Sequence, residues 1–200
     1  NIAGSSLHRH LEKGTRRPLN LRRVAAQGAV LMKFELEHHF DALPGDLLAV
    51  MHHPRLPEAL MAHMENLIEM EILIAEGEKR QVRYRPEPMI KRIGPKKVEA
   101  RWMEWVEHST TDKSQFRVDF ENIPRLDTVA RLMLNRGTIY IRRSGSGSVR
   151  TLEGELKIKV PILGRIAENM IYKHATGLLD EEARVTADII AAGGVDAFLG

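Results

Sequence analysis

Nine histidines and no cysteine bound the chemistry open to this chain of 200 residues. Without thiols, disulfides, thiolate nucleophiles and cysteine-ligated zinc or iron–sulfur sites are excluded. A metal held by imidazoles needs side chains that converge. His38 and His39 are neighbours in an alternating segment, so they point to opposite faces and do not share one ion. His52, His53 and His63 lie close in the chain, but no His-Glu-x-x-His spacing is present and no carboxylate stands at a diagnostic offset. No metal site is expected, and these histidines read as helix-end and surface residues. Serine nucleophile chemistry has no Gly-x-Ser-x-Gly elbow to support it. The Gly/Ser run at Ser144–Ser148 lies between two strand patterns, whereas phosphate-cradling loops open helices. Neither a catalytic residue nor a cofactor is assigned.

Two single residues remain. His38 shares its alternation with Phe34, Leu36 and Phe40, which turns it toward the interior, where burial lowers its pKa unless a partner offsets it. A core histidine satisfied by one hydrogen bond is the favoured reading, and a polar anchor for a ligand head group is the functional one. Glu104 shares a face with Trp102 and Val106. Turned inward it would be a buried carboxylic acid and a candidate acid or base; turned outward it is solvated and Met103 and Trp105 line the interior. Trp102 and Trp105 are expected on opposite faces of one strand. Tyr84, Tyr140 and Tyr172 each offer a hydroxyl to a ligand, although an aromatic in a strand is more often ordinary core.

The elements that position these residues follow from hydrophobic period. Met32, Phe34, Leu36, His38 and Phe40 alternate with polar positions, the mark of a strand with one dry face. A turn at residues 41–46, with Asp46 as a possible cap, leads to a short helix carrying Leu47, Leu48, Val50 and Met51. Pro54 ends it, and Pro57 suits the first turn of a second short helix through residue 65. Strands are expected at 67–76 and 79–85 around Gly77, at 98–109 and 114–121 after a Pro-rich interruption at 86–95, and at 132–143 and 149–160 around a flexible loop at 144–148. Residues 122–130 fit either one helical turn or a crossing loop. After Pro161 the period changes, and Ile166, Met170, Leu178, Val185 and Ile189 form one stripe of a long helix from Leu163 to about Ala191, ended by Gly193-Gly194.

Charge is uneven. Residues 1–31 hold six basic side chains against Glu12, a local charge of +5, so with a total of +3 the rest of the chain carries −2. A domain that is slightly acidic without its tail has no footprint for a phosphate backbone, and nucleic acid is not expected as a partner. The division read from this is a basic flexible tail at 1–30, one domain at 31–192 with Met32 close to its start, and a short tail at 193–200. No stretch approaches the roughly 20 apolar residues that span a bilayer, and a cysteine-free chain suits a reducing cytoplasm.

A strand, two short helices, six strands and one long C-terminal helix is an order that resembles the START-like (SRPBCC, Bet v 1-like helix-grip) superfamily from Met32 to Ala192. The stretch Thr151-Leu-Glu-Gly-Glu-Leu-Lys-Ile-Lys-Val-Pro-Ile-Leu-Gly164, continuing to Met170, is similar to the last strand and start of the gripping helix in a bacterial branch of unknown function. The resemblance implies an α+β helix-grip fold, a seven-stranded curved antiparallel sheet around the long helix. It also implies a cavity for a lipid, sterol-like or aromatic molecule, with the protein acting as carrier or sensor. Phe34, Leu36, His38, Phe116 and Phe120 are its expected lining from the first half of the chain. Tyr140, Leu156, Ile158, Met170 and Leu178 are expected from the second half. Two alternatives stand beside the carrier: a cyclase- or hydrolase-like enzyme using His38 or Glu104, and an interaction module reaching a partner or an anionic membrane through its basic arm.

Overall fold

The computed structural model describes residues 22–26, 29–89, 91–93, 95–159 and 164–200. Among these residues the elements follow in the order β1 (Arg22–Ala26), β2 (Ala29–Phe40), α1 (Pro44–Met51), α2 (Leu56–His63), β3 (Leu67–Glu76), β4 (Lys79–Pro86), β5 (Arg92–Ile93), β6 (Lys96–Lys97), β7 (Trp105–Asp112), β8 (Arg117–Pro124), α3 (Asp127–Ala130), β9 (Met133–Ser144), β10 (Gly147–Ile158), α4 (Gly164–Ala191) and α5 (Val195–Leu199). One antiparallel sheet runs in the order β1-β2-β10-β9-β8-β7-β4-β3, with β5 and β6 forming a separate small hairpin. The seven strands from β2 onward, two short helices after the first of them and the long α4 are the expected helix-grip arrangement. An eighth strand, β1, adds to the edge by pairing Arg22–Ala26 with Ala29–Lys33, so the sheet begins before Leu31. The rest of the basic segment, at 1–21 and 27–28, lies outside the described residues, as do Val160 to Leu163.

Local chemistry accounts for the boundaries. Pro44 starts α1 because the first helical position needs no N–H, and Leu43 precedes it without a side-chain cap. Asp46 therefore sits in the first turn, where its charge favours the helix dipole, instead of capping it. The β3–β4 turn needs positive φ, which Gly77 supplies at +60°. The β9–β10 connection is tighter than the Gly/Ser run suggests: pairing continues to Ser144↔Gly147, leaving only two turn residues with Gly145 at φ +60°. The strand expected from Val98 starts only at Trp105, because Ala100–Met103 close into a 3₁₀ turn. Trp102 is thus exposed on that turn and shares no strand with Trp105. The ambiguous stretch after Pro124 contains one helical turn, α3. Past Gly194 the chain folds back as α5 with Val195 buried.

The concave face of the sheet closes on α4. One core joins α2, β3 and β4 to the C-terminal half of α4 through Leu60, Met70, Val82, Val185 and Ile189. A second joins α1 to Phe40, Val118, Ile141 and Ala183. Farther along α4 the contacts are aromatic: the Phe34 and Tyr172 rings lie 5.7 Å apart. There Gly154 pairs with Phe34 and with Gly137. A Cβ on Gly154 would overlap the Phe34 ring, and one on Gly137 would meet the β10 backbone and the Phe120 ring. The glycine pair therefore makes room for two phenylalanines on the concave face.

Candidate functional site

Antiparallel partners project to the same side of a sheet, so the register identifies the interior face. Leu36 pairs with Leu152 and His38 with Arg150; Leu152 pairs with Ile139, Ile139 with Val118, Val118 with Thr111, Glu107 with Val82, and Tyr84 with both Trp105 and Met70. Parity along each strand then puts His38, Arg80, Tyr84, Trp105, Glu107, Thr111 and Arg150 inside. The interior is consequently polar at its middle, with apolar cores on either side.

Arg150, 3% exposed, anchors the first polar group. Its guanidinium holds Glu182 of α4 through two bonds, Nη1 to Oε1 at 3.0 Å and Nη2 to Oε2 at 2.6 Å, and Thr186 donates to the same carboxylate at 3.2 Å. Nη2 also reaches His38 Nδ1 at 3.2 Å. Arginine has no acceptor, so Nδ1 accepts, the proton resides on Nε2, and Nε2 donates to Asp180 at 3.1 Å. Burial, reinforced by the Arg150 charge, lowers the His38 pKa against the pull of Asp180 and Glu182. Burial works against the Glu182 charge too, but Arg150 outweighs it and the carboxyl pKa falls. His38 is thus a neutral, satisfied imidazole tying β2 and β10 to α4.

The second group lies on β4 and β7. Arg80 Nη1 donates to the Met51 carbonyl at 2.6 Å, and its buried Nη2 has no hydrogen-bond partner among the described residues. Tyr84 and Trp105 stack with centroids 5.3 Å apart. Among the described residues none hydrogen-bonds the Glu107 carboxyl, and burial raises its pKa to about 7, against the opposing Arg80 charge and with the help of Glu182. Burial likewise pushes the Tyr84 hydroxyl well up. His52, beside Thr111 Oγ1 at 3.2 Å, is lowered to about 4 by burial, then by Arg80 and Lys113. Tyr84, Glu107 and Glu182 are half-buried.

The expected lining separates under this geometry. Phe34, Leu36, His38, Phe120, Leu156 and Ile158 share the concave face. Leu178 packs on the first core, and Phe116 packs on the second from a turn at φ +48°. Tyr140 is on the opposite face: it pairs with Arg117, and Arg142 lies over its ring at 5.0 Å. Parity required this, since its neighbours Ile139 and Ile141 point inward. Met170 is 39% exposed on α4. Glu104 turns outward but is only 6% exposed, because Arg85 donates to it at 2.9 and 2.7 Å and Arg125 approaches to 3.5 Å. It is an ion-paired strut beneath the loop, and Trp105 is the inward residue. Arg80, Glu107, Arg150 and Glu182 are interior polar residues absent from the expected lining. For Arg150 a signal existed, its parity with Leu152 and Leu156.

An open groove of about 660 Å³ also crosses the outer face beneath the glycine pair, lined by Lys33, Glu35, Asp119, Glu121, Arg136 and Glu155 among others. Lys33 and Arg136 approach Glu155 at 3.6 and 3.2 Å, and Thr138 donates to Asp119 at 2.7 Å. Its carboxylates outnumber its cations, and Phe34 and Phe120 also border it.

Comparison with known proteins bears on the whole arrangement. A family model described as protein of unknown function, DUF2505, matches residues 35–190. No curated protein matches significantly. Norcoclaurine synthase from Thalictrum flavum superposes with a TM-score of 0.59 at 20% identity, covering 88% of this chain and 98% of that one. The Zhui aromatase/cyclase from a Streptomyces species gives 0.57 at 12% identity over 82% and 99% of the two chains. A Thermus thermophilus protein, TTHA0849, gives 0.57 at 20% identity over 78% and 98%. These likenesses establish the helix-grip fold.

Proposed function

For this chain, which belongs to the DUF2505 family of unknown function, we propose binding of a small, largely apolar molecule between the concave face and α4. The observation that carries the reading is the Glu107 carboxyl, half-buried on the face turned to α4, between two apolar cores and without a hydrogen-bond partner among the described residues. A half-buried polar group on that face is within reach of a molecule held in such a space. Phe34, Leu36, Phe120, Leu156, Ile158 and Leu178 supply apolar walls near that space, and His38 remains a structural tie behind them. Glu107, with no hydrogen-bond partner among the described residues, offers a polar contact by which a guest would be oriented. A few such groups in an apolar pocket suffice for orientation. Native mass spectrometry of gently purified protein, followed by denaturing extraction, tests the reading. A stoichiometric small molecule supports it. Protein that carries nothing and takes up neither apolar dyes nor fluorescent fatty acids overturns it.

A second reading has its own observation. A carboxyl group with a pKa of about 7 can act as a general acid or base near neutral pH, and two proteins sharing the fold are named as a synthase and an aromatase/cyclase. Turnover of an extracted guest or its precursor, with a pH profile abolished in Glu107→Gln, favours catalysis. Unaltered guest recovered after incubation favours the carrier.

A further inference from the structure

The two ends of the sheet differ in character. The starts of β3, β7 and β9, the ends of β4, β8 and β10, and the beginning of α4 all meet at one end, tied by Glu87 N to Asn66 O at 3.0 Å, Arg125 N to Glu104 O at 2.9 Å and Lys159 N to Leu132 O at 2.8 Å. Ten large apolar side chains are exposed among the described residues, and six of them are here: Ile68, Trp102, Ile123, Leu126, Leu132 and Met170, each between 38% and 44% accessible. Scattered exposed apolar residues need no explanation, but a gathering on neighbouring loops does.

Charge follows the same division. Residues 64–69, 87–104, 123–132, 157–159 and 164–170, at this end, contain ten Lys and Arg against seven acidic residues, a local +3. With +5 on residues 1–31 and +3 in all, residues 32–200 carry −2. The remainder of residues 32–200 therefore carries −5. Charge is divided along the sheet, and the apolar tips lie on its positive side.

The geometry points to this end as a docking surface for an anionic lipid bilayer. The apolar tips rise from separate loops, the 3₁₀ turn, the end of β8, α3 and the start of β9. They offer separate points of insertion. The open groove on the outer face is dominated by carboxylates, so an acidic polypeptide has no seat there. Basic residues beside an anionic leaflet add attraction, and a Trp at the headgroup level anchors. This inference stands whether or not the interior holds a guest.

Vesicle co-sedimentation of the full chain tests it. The expected result is binding to phosphatidylcholine vesicles containing phosphatidylglycerol as about one quarter of the lipid, little binding to phosphatidylcholine alone, and release at high salt. Each neutralised cation is expected to lower the partition coefficient roughly fivefold, so Arg101→Gln with Lys159→Gln lowers it about 25-fold. Trp102→Ser lowers binding with no change in thermal unfolding, whereas Leu73→Ser, on a distant part of β3, leaves binding unchanged. Equal binding to neutral and anionic vesicles, or no binding to either, overturns the inference. So does wild-type binding by the double glutamine variant, which would assign the attraction to the N-terminal arginines, or a preference for soluble polyglutamate over vesicles.

Discussion

Glu107 provides the sharpest quantitative test of the interior. In the folded chain its carboxyl titrates at about 7 against 4.5 for the free side chain. The folded state therefore holds a proton that the unfolded state has released over the intervening range. Stability attached to this group is complete below about pH 4.5 and is lost as pH rises through about 7, the loss amounting to about 3 kcal/mol. Glu107→Gln has nothing to titrate and keeps a similar shape. The perturbation is thus best read as a difference: urea unfolding of both proteins from pH 4 to 8, followed by the fluorescence of Trp105, which stacks on Tyr84 next to the carboxyl. Other titrations, including those of His38 and His52, occur in both proteins and cancel. The glutamine protein should gain on the wild type by about 3 kcal/mol across this interval. A difference that stays flat with pH would falsify the assignment of Glu107 to a desolvated, unpartnered position.

Three further outcomes follow from named contacts. His52, held neutral by burial, should show an NMR titration midpoint near 4; its stabilising effect is present above 6.5 and is lost as pH falls toward 4, and a midpoint above 6 contradicts the burial. Arg150→Met leaves Glu182 buried without its cation and should cost about 3–5 kcal/mol in chemical denaturation, while Arg150→Met with Glu182→Leu recovers most of it. Gly154→Ala drives a methyl into the Phe34 ring and should cost about 1–3 kcal/mol; pairing it with Phe34→Leu should relieve the loss, and purely additive effects in the double variant refute the contact.

Much of the fold was legible because one face of β2 is dry and alternation exposes it. The same parity turned His38 inward correctly. It would also have found Arg150, but a charged residue in an apolar series reads as an interruption until its partner is known, and Glu182 is 32 residues away. Glu107 was hidden for a different reason. The inward residues of β7 are Trp105, Glu107, Ser109 and Thr111, which offer no apolar alternation to follow. Setting the strand start at Val98 then drew attention to Glu104, whose burial comes from arginine partners on the outer face. Tyr140 was misplaced through residue type, since its flanking isoleucines already claimed the inner side. β1 was missed because five residues of weak periodicity resemble a tail until a longer strand pairs with them.

The open sheet leaves two edges, and they differ as templates. β1 is short and contributes two arginines, while β3 is ten residues long with Leu73 and Ile74 exposed. A straight strand of that composition would invite another chain to continue the ladder, the first step toward fibrils. β3 instead shifts register twice against β4, between Leu67 and Glu69 and between Ile72 and Ile74. Each shift puts its free amides and carbonyls out of step with an incoming strand. Straightening β3 by deleting one residue at either irregularity would thus convert a guarded margin into an adhesive one, and aggregation, rather than loss of fold, would be the first symptom.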